Sequence, residues 1–151
     1  MSRALLHQAG PEDLARLVPL IEAFHQEMGF TLPDGHAEHA VTPLLAGSPH
    51  GTAYLAGPRI APLGYAVVCF GWSVEFGGLD GYLDELYVRP GIRGRGIAQQ
   101  MLGELRTLMT DAGVGGLALE VDRTDAAAQR LYQRAGWKLR DRYSLMTLDL
   151  T

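Results

Sequence analysis

A single cysteine, Cys69, excludes any intramolecular disulfide. It lies in the apolar run Tyr65-Ala66-Val67-Val68-Cys69-Phe70, the setting of a buried structural thiol rather than a reactive one. The five histidines and this cysteine have no metal-ligand spacing, so no metal is expected. Positive charge is not in excess either. The formal net charge is -4, which argues against a protein that grips nucleic acid by bulk electrostatics. No run approaches the ~20 apolar residues of a membrane-spanning helix. Met1 to His7 lacks the apolar stretch of a signal peptide, which makes the cytoplasm the expected compartment. Internal repeats, low-complexity tracts and linkers are also missing.

What is there is ordinary globular material, 47% hydrophobic and 20% charged over 151 residues, enough for one domain with a sizeable core. Arg3 to Gln8 reads as a short first strand. Gly10-Pro11-Glu12-Asp13 reads as a helix start, with proline at the first helical position and acids in the first turn. Leu14, Leu17, Val18, Ile21, Phe24, His25 and Met28 follow at helical spacing until Gly29 stops them; His25 on this stripe reads as a packing residue. A weaker helix is expected over His36 to Leu45, interrupted near Pro43. The period then changes to that of strands at Thr52–Ala56, Gly64–Trp72 and Gly81–Val88, an antiparallel meander. A helix from Arg95 to Asp111, a strand Leu117–Val121 parallel to its predecessor, and a helix from Asp125 to Ala135 come next. Strands at Trp137–Leu139 and Tyr143–Leu150 are expected to close the chain.

The most informative segment runs from Glu85 to Ala98, where a strand passes through Arg93-Gly94-Arg95-Gly96 into a helix. Glycines let the backbone adopt positive φ and come close to a ligand. Unpaired N–H groups at the helix start converge on an anion, helped by the helix dipole. Arg93 and Arg95 add charge, so this is a phosphate cradle. A dinucleotide fingerprint would want a third glycine where Gln99 stands. A nucleoside-triphosphate loop would need lysine and a hydroxyl residue, and neither follows the glycines. Gly91-Ile92-Arg93-Gly94 matches a short RNA-binding loop, but that loop joins two helices and here a strand precedes it.

Arg93, Gly96 and Ala98 form an arginine-x-x-glycine-x-alanine pattern behind Leu86-Tyr87-Val88-Arg89-Pro90. Farther on stand Leu119-Glu120-Val121, Asp125, Ala127-Ala128 and Leu131-Tyr132-Gln133-Arg134-Ala135-Gly136-Trp137. Together these resemble the GCN5-related N-acetyltransferase (GNAT) superfamily over roughly Tyr82 to Trp137. The resemblance implies an α/β fold over residues 1–151: a mostly antiparallel sheet of six to seven strands with one splayed parallel pair, flanked by about four helices. It implies acetyl-CoA as cosubstrate, its pantetheine arm paired with the backbone of Leu86, Tyr87 and Val88. Its pyrophosphate would lie on the N–H groups of Arg93, Gly94, Arg95, Gly96, Ile97 and Ala98. Asp125, Ala128 and Tyr132 fall at further cofactor positions, and Tyr132 at the one from which a phenol can protonate the departing thiolate. Where the family often has asparagine this chain has Asp125, which when ionised can only accept a hydrogen bond. A helix cap is its secure role. A homodimer is a further family expectation.

Direct acetyl transfer needs a free amine, whereas an alkyl amine of pKa ~10.4 is almost wholly protonated at neutral pH. A base must take that proton. Asp84 and Glu85 sit on the strand leading into the turn, and neighbours on a strand face opposite sides unless a bulge turns both inward. Glu85 is the favoured base, with Asp84 and Glu120 as substitutes. Glu75, Asp80, Asp84 and Glu85, with Trp72, Phe76 and Tyr82 among them, suggest a pocket for a small cationic amine such as a polyamine, a lysine-like or an aminoglycoside-like molecule. Glu22, Glu27, Asp34 and Glu38 could face the same cleft. The other reading is a non-catalytic acetyl-CoA sensor or interaction module.

Overall fold

The computed structural model describes residues 3–151; Met1 and Ser2, at the head of the stretch read as free of a signal sequence, lie outside the described residues. Met1–Glu120 forms one compact unit and Val121–Thr151 a second.

The first unit is built on a five-stranded sheet, β1 (Leu6–Gln8), β2 (Gly51–Ala56), β3 (Gly64–Ser73), β4 (Gly78–Val88) and β5 (Leu117–Ala118), in that spatial order. The first four strands pair antiparallel as the expected meander, and β5 lies parallel to β4 through the crossover helix α3 (Ile97–Asp111). Two helices precede β2. α1 (Leu14–Glu27) follows a single 3-10 turn at Pro11–Asp13, where the Asp13 carboxylate accepts the Gly10 N–H at 3.0 Å. α2 (His36–Leu45) runs through Pro43 without interruption. A proline there removes only the bond its N–H would give to His39, and the helix ends two residues on.

Alternation along the strands sorts the core. Ala53, Leu55, Tyr65, Val67 and Tyr87 face α1 and α2, where they bury Leu17, Leu20, Ile21, Val41 and Leu45. Ala66, Val68, Leu83 and Val88 alternate with them and are equally buried, and α3, which contacts β1 and β4, brings Met101, Leu102, Leu105 and Met109 to the interior. Glu104 of α3 ties down the first strand: its carboxylate accepts the N–H of Leu5 at 2.9 Å and of Leu6 at 2.9 Å.

The second unit contains α4 (Ala126–Arg134), capped at its start by Asp125, whose carboxylate accepts the Ala128 N–H at 2.9 Å, and ended by Gly136 at φ 96°. The strands expected at Trp137–Leu139 and Tyr143–Leu150 are not formed; both segments are irregular. α4 is the only regular element of this unit among the described residues, so Tyr143, Leu145, Leu148 and Leu150 have no ladder to join within it and are exposed. The sheet therefore has five strands rather than six or seven. Among the described residues no helix is long and apolar enough to cross a membrane.

Replacing Glu104 with Ala leaves the Leu5 and Leu6 N–H groups without their acceptor. Urea unfolding should show a loss of about 1–3 kcal/mol, with an unchanged denaturant slope.

Candidate active site

The glycine turn begins where β4 ends. Pro90–Ile92 forms a 3-10 turn, and Gly94 and Gly96 each adopt φ 79°, a left-handed conformation in which an L side chain is strained. A Cβ at either position would meet nothing within 4 Å, so the backbone is bare on the outside of the turn. The first bond of α3 is Gln100 N–H to the Gly96 carbonyl at 3.0 Å. Among the described residues no carbonyl or side chain takes the N–H of Gly94, Arg95, Gly96, Ile97 or Ala98, which leaves five backbone donors free at the start of α3, the setting in which helix N-termini bind anions. Arg95 is exposed and has no ion-pair partner among the described residues. Arg93 is different. Its backbone N–H is given to the Pro90 carbonyl at 3.3 Å, and its guanidinium binds both carboxylate oxygens of Glu27 at 2.7 Å each.

β4 pairs with β5 only at Gly81 and Tyr82. From Leu83 to Val88 its edge on that side has no strand among the described residues, so the backbone of Leu86 to Val88 is unpaired there. On the β3 side the ladder slips: Val67 lies opposite Glu85 but Val68 lies opposite Leu83, which leaves Asp84 as the extra residue of a β-bulge. The bulge defeats strict alternation. Asp84 and Glu85 both line one open cavity of about 80 Å³, walled by Ile21, Ala40, Val41, Leu44 and Val67.

Glu85 is held from two sides. The Tyr65 hydroxyl donates to its Oε1 at 2.7 Å, and His25 Nε2 lies 2.6 Å from its Oε2. Burial, then the Glu85 charge, pushes the Tyr65 phenol far above its ordinary range, so it stays a donor. His25 therefore does more than pack. Its ring stands edge-on to Phe24 at 5.3 Å while its nitrogen reaches β4. Asp84 sits at the solvent side of the cavity, and its carboxyl is raised first by partial desolvation and then by repulsion from Glu85. Cys69, near the same pair, is raised by burial and then by the charges of Asp84 and Glu85, as befits an unreactive thiol.

The remaining expected residues are dispersed. Glu120 accepts a 2.5 Å hydrogen bond from the Tyr82 phenol, so that carboxylate is occupied beside the parallel pair. Trp72 and Phe76 are exposed at the tip of the β3–β4 hairpin with Glu75. Asp84 lies about 20 Å along β4 from that tip at ~3.3 Å per residue, so these aromatics do not line its cavity. Glu27 is spent on Arg93 and is not an acid of that cavity. In the second unit the Tyr132 phenol is raised, first by burial and then by Asp125, and its ring packs on Trp137 at 6.0 Å. Sequence reasoning missed Tyr65 and the bonding role of His25, because the register that brings both to Glu85 is non-local.

The model of the acetyltransferase (GNAT) family matches residues 18–137, and the chain belongs to that family. It is an acetyltransferase, and the family generally uses acetyl-CoA. Among solved structures it is similar to an integron cassette protein from the mobile metagenome of Cole Harbour Salt Marsh, at 32% identity and a TM-score of 0.85 over 97% of this chain and 91% of that one. A protein from Arthrobacter sp. FB24 assigned to the acetyltransferases is 30% identical, with a TM-score of 0.80 over 100% of this chain and 97% of that one. An aminoglycoside acetyltransferase from an uncultured soil metagenomic sample, in complex with sisomicin, shares the fold at 15% identity, with a TM-score of 0.79 over 97% and 95% of the two chains. None of the curated proteins matches significantly.

The raised carboxyl of Asp84 has a stability consequence. A carboxyl whose folded pKa lies above its unfolded one weakens the fold as pH rises through that range, and the penalty is complete above the folded value. Asp84→Asn should therefore be more stable than the parent at neutral pH. That advantage should vanish once the pH falls below the ordinary aspartate pKa of ~3.9, as read from thermal melts across the pH range.

Proposed function

We propose that this enzyme transfers the acetyl group of acetyl-CoA directly to the primary amino group of a small cationic amine. The observation that carries this reading is the bulge at Asp84, which turns two adjacent carboxylates into one apolar-walled cavity beside the unpaired edge of β4. Acetyl-CoA, when bound, supplies an activated acetyl thioester. The chain's own residues fit it: free N–H groups from Gly94 to Ala98 and the unpartnered Arg95 suit a diphosphate, and the open edge at Leu86 to Val88 suits an amide-bearing arm.

On the acceptor side, Asp84 attracts the ammonium group and Glu85 takes its proton. Each carboxylate oxygen has two lone pairs, so Glu85 can accept that proton, directly or through a water, while Tyr65 and His25 keep it aimed. The aliphatic walls supply the selectivity. The open cavity of about 80 Å³ admits the slender aminoalkyl end of an acceptor, such as that of a polyamine or a lysine-like chain. The sisomicin-binding relative of the same fold is compatible with a cationic acceptor and does not narrow it further. Tyr132, whose phenol keeps its proton at neutral pH, is the donor for the departing thiolate. Asp125 acts as the helix cap through the Ala128 N–H, and the family resemblance alone assigns Ala128 to the cofactor. A homodimer belongs to the same reading, on family grounds alone.

Glu85→Gln, assayed by thiol release with a diamine acceptor, should lower kcat by about 10²–10⁴-fold. Tyr132→Phe should slow release markedly while acetyl-CoA affinity holds. If both variants match the parent, the residues are misassigned; a parent that binds acetyl-CoA but never releases thiol would be a sensor.

A further inference from the structure

The last turn of α1 is fixed at three points that come from three different places in the sequence. Phe24 wedges into the sheet, edge-on to Tyr65 at 6.3 Å and to Tyr87 at 6.0 Å. His25, on one flank of Phe24, reaches Glu85. Glu27, on the other flank, is bound by Arg93. The helix then stops at Gly29, φ 90°, with Gly29 N–H to the Gln26 carbonyl at 3.0 Å and Phe30 N–H to the His25 carbonyl at 2.8 Å. Nothing beyond this turn extends the helix, so these three contacts hold its end where the core packing of Leu17, Leu20 and Ile21 leaves off.

Arg93 reaches Glu27, β4 and Tyr87 at once. Nη1 and Nη2 form parallel bonds to the two oxygens of Glu27, Nε donates to the Val88 carbonyl at 2.9 Å, and the guanidinium stands 5.5 Å from the centre of the Tyr87 ring. Three of its five N–H donors are used, one on each nitrogen, and the Nη1–Nη2 fork is turned to Glu27. Its neighbour Arg95 has no such partner among the described residues. An exposed ion pair of this kind adds little to global stability. What two parallel bonds and a stacked ring fix is direction.

We propose that Arg93 is a positioning residue: a strut from the cofactor turn to Glu27 that holds the end of α1, and so His25, against Glu85, rather than a ligand of the cofactor's diphosphate. The inference rests on the functional reading above. It ties the two halves of the site together, since the side chain leaves the turn that would bind acetyl-CoA and ends on the helix that walls the acceptor cavity. The strut works through His25 and Glu85 and touches neither substrate.

The test uses Glu27→Gln, Arg93→Gln, Arg93→Lys and the double variant Glu27→Gln/Arg93→Gln. Three quantities are measured: acetyl-CoA affinity by calorimetry, kcat/KM for the amine, and hydrogen exchange at the amides of Phe24 to Glu27. Each single change should leave acetyl-CoA affinity unchanged, lower kcat/KM for the amine about tenfold or more through loss of alignment, and speed exchange in the last turn of α1. Lysine should not rescue, because one ammonium cannot form the fork. The double variant should be no worse than the poorer single one, as two members of one contact require. The strut is overturned if Arg93→Gln weakens acetyl-CoA binding while Glu27→Gln does not, since Arg93 would then be a phosphate ligand. It is equally overturned if Glu27→Gln leaves both exchange and amine kinetics untouched. Failure of the parent to bind acetyl-CoA would remove the functional reading instead, while faster exchange in Glu27→Gln would still show that the pair holds α1.

Discussion

One extra residue in β4 shapes the proposed acceptor site of this molecule. Antiparallel pairing with β3 would place Asp84 and Glu85 on opposite faces of the sheet, one toward α1 and one away. The slip between Val67 and Val68 absorbs Asp84 as a bulge, and both carboxylates reach the same cavity. The unpaired edge of β4 beyond Tyr82 opens beside them. A single irregularity thus supplies paired charge and a bent strand at the place where the ladder to β5 ends.

Such a pair is costly unless the surroundings hold it. Glu85 is satisfied by Tyr65 and lies against His25, and both arrive from far away in the chain, from β3 and from the end of α1. Asp84 has no comparable support and its charged form is disfavoured. This asymmetry divides the labour proposed here: a well-held carboxylate handles a proton, and a poorly held one waits for a cation. Stability lost at Asp84 is compensated elsewhere, in a sheet buried on both faces and in anchors such as Glu104 on the backbone of Leu5 and Leu6.

The sequence was most legible where backbone chemistry is most local. Gly94 and Gly96 sit at φ values that few other residues accept, Gly29 and Gly136 end helices, and Asp125 caps one, so the turn and the helix limits could be read residue by residue. The meander and the crossover followed from the change of period. Three things were not legible. A bulge leaves no mark in composition, so sequence could only name it as a condition. The bonds of Glu85 to His25 and Tyr65 depend on strand register and on where α1 docks, which no local pattern encodes. The composition of Tyr143 to Leu150 suggested a strand, but its apolar residues change face between Leu145 and Leu148, and the unit that contains it offers no partner among the described residues. Glu27 looked like one more acid facing the acceptor until Arg93 was seen to bind it.

The most direct measurement is thiol release from acetyl-CoA by the unmodified chain across a panel of acceptors: slender diamines and polyamines, a lysine derivative, an aminoglycoside and an acidic peptide. The account predicts release that depends on the amine, is fastest for the slender aminoalkyl acceptors and is negligible for the acidic peptide. Release that ignores the amine, or that is fastest with the acidic peptide, would contradict it.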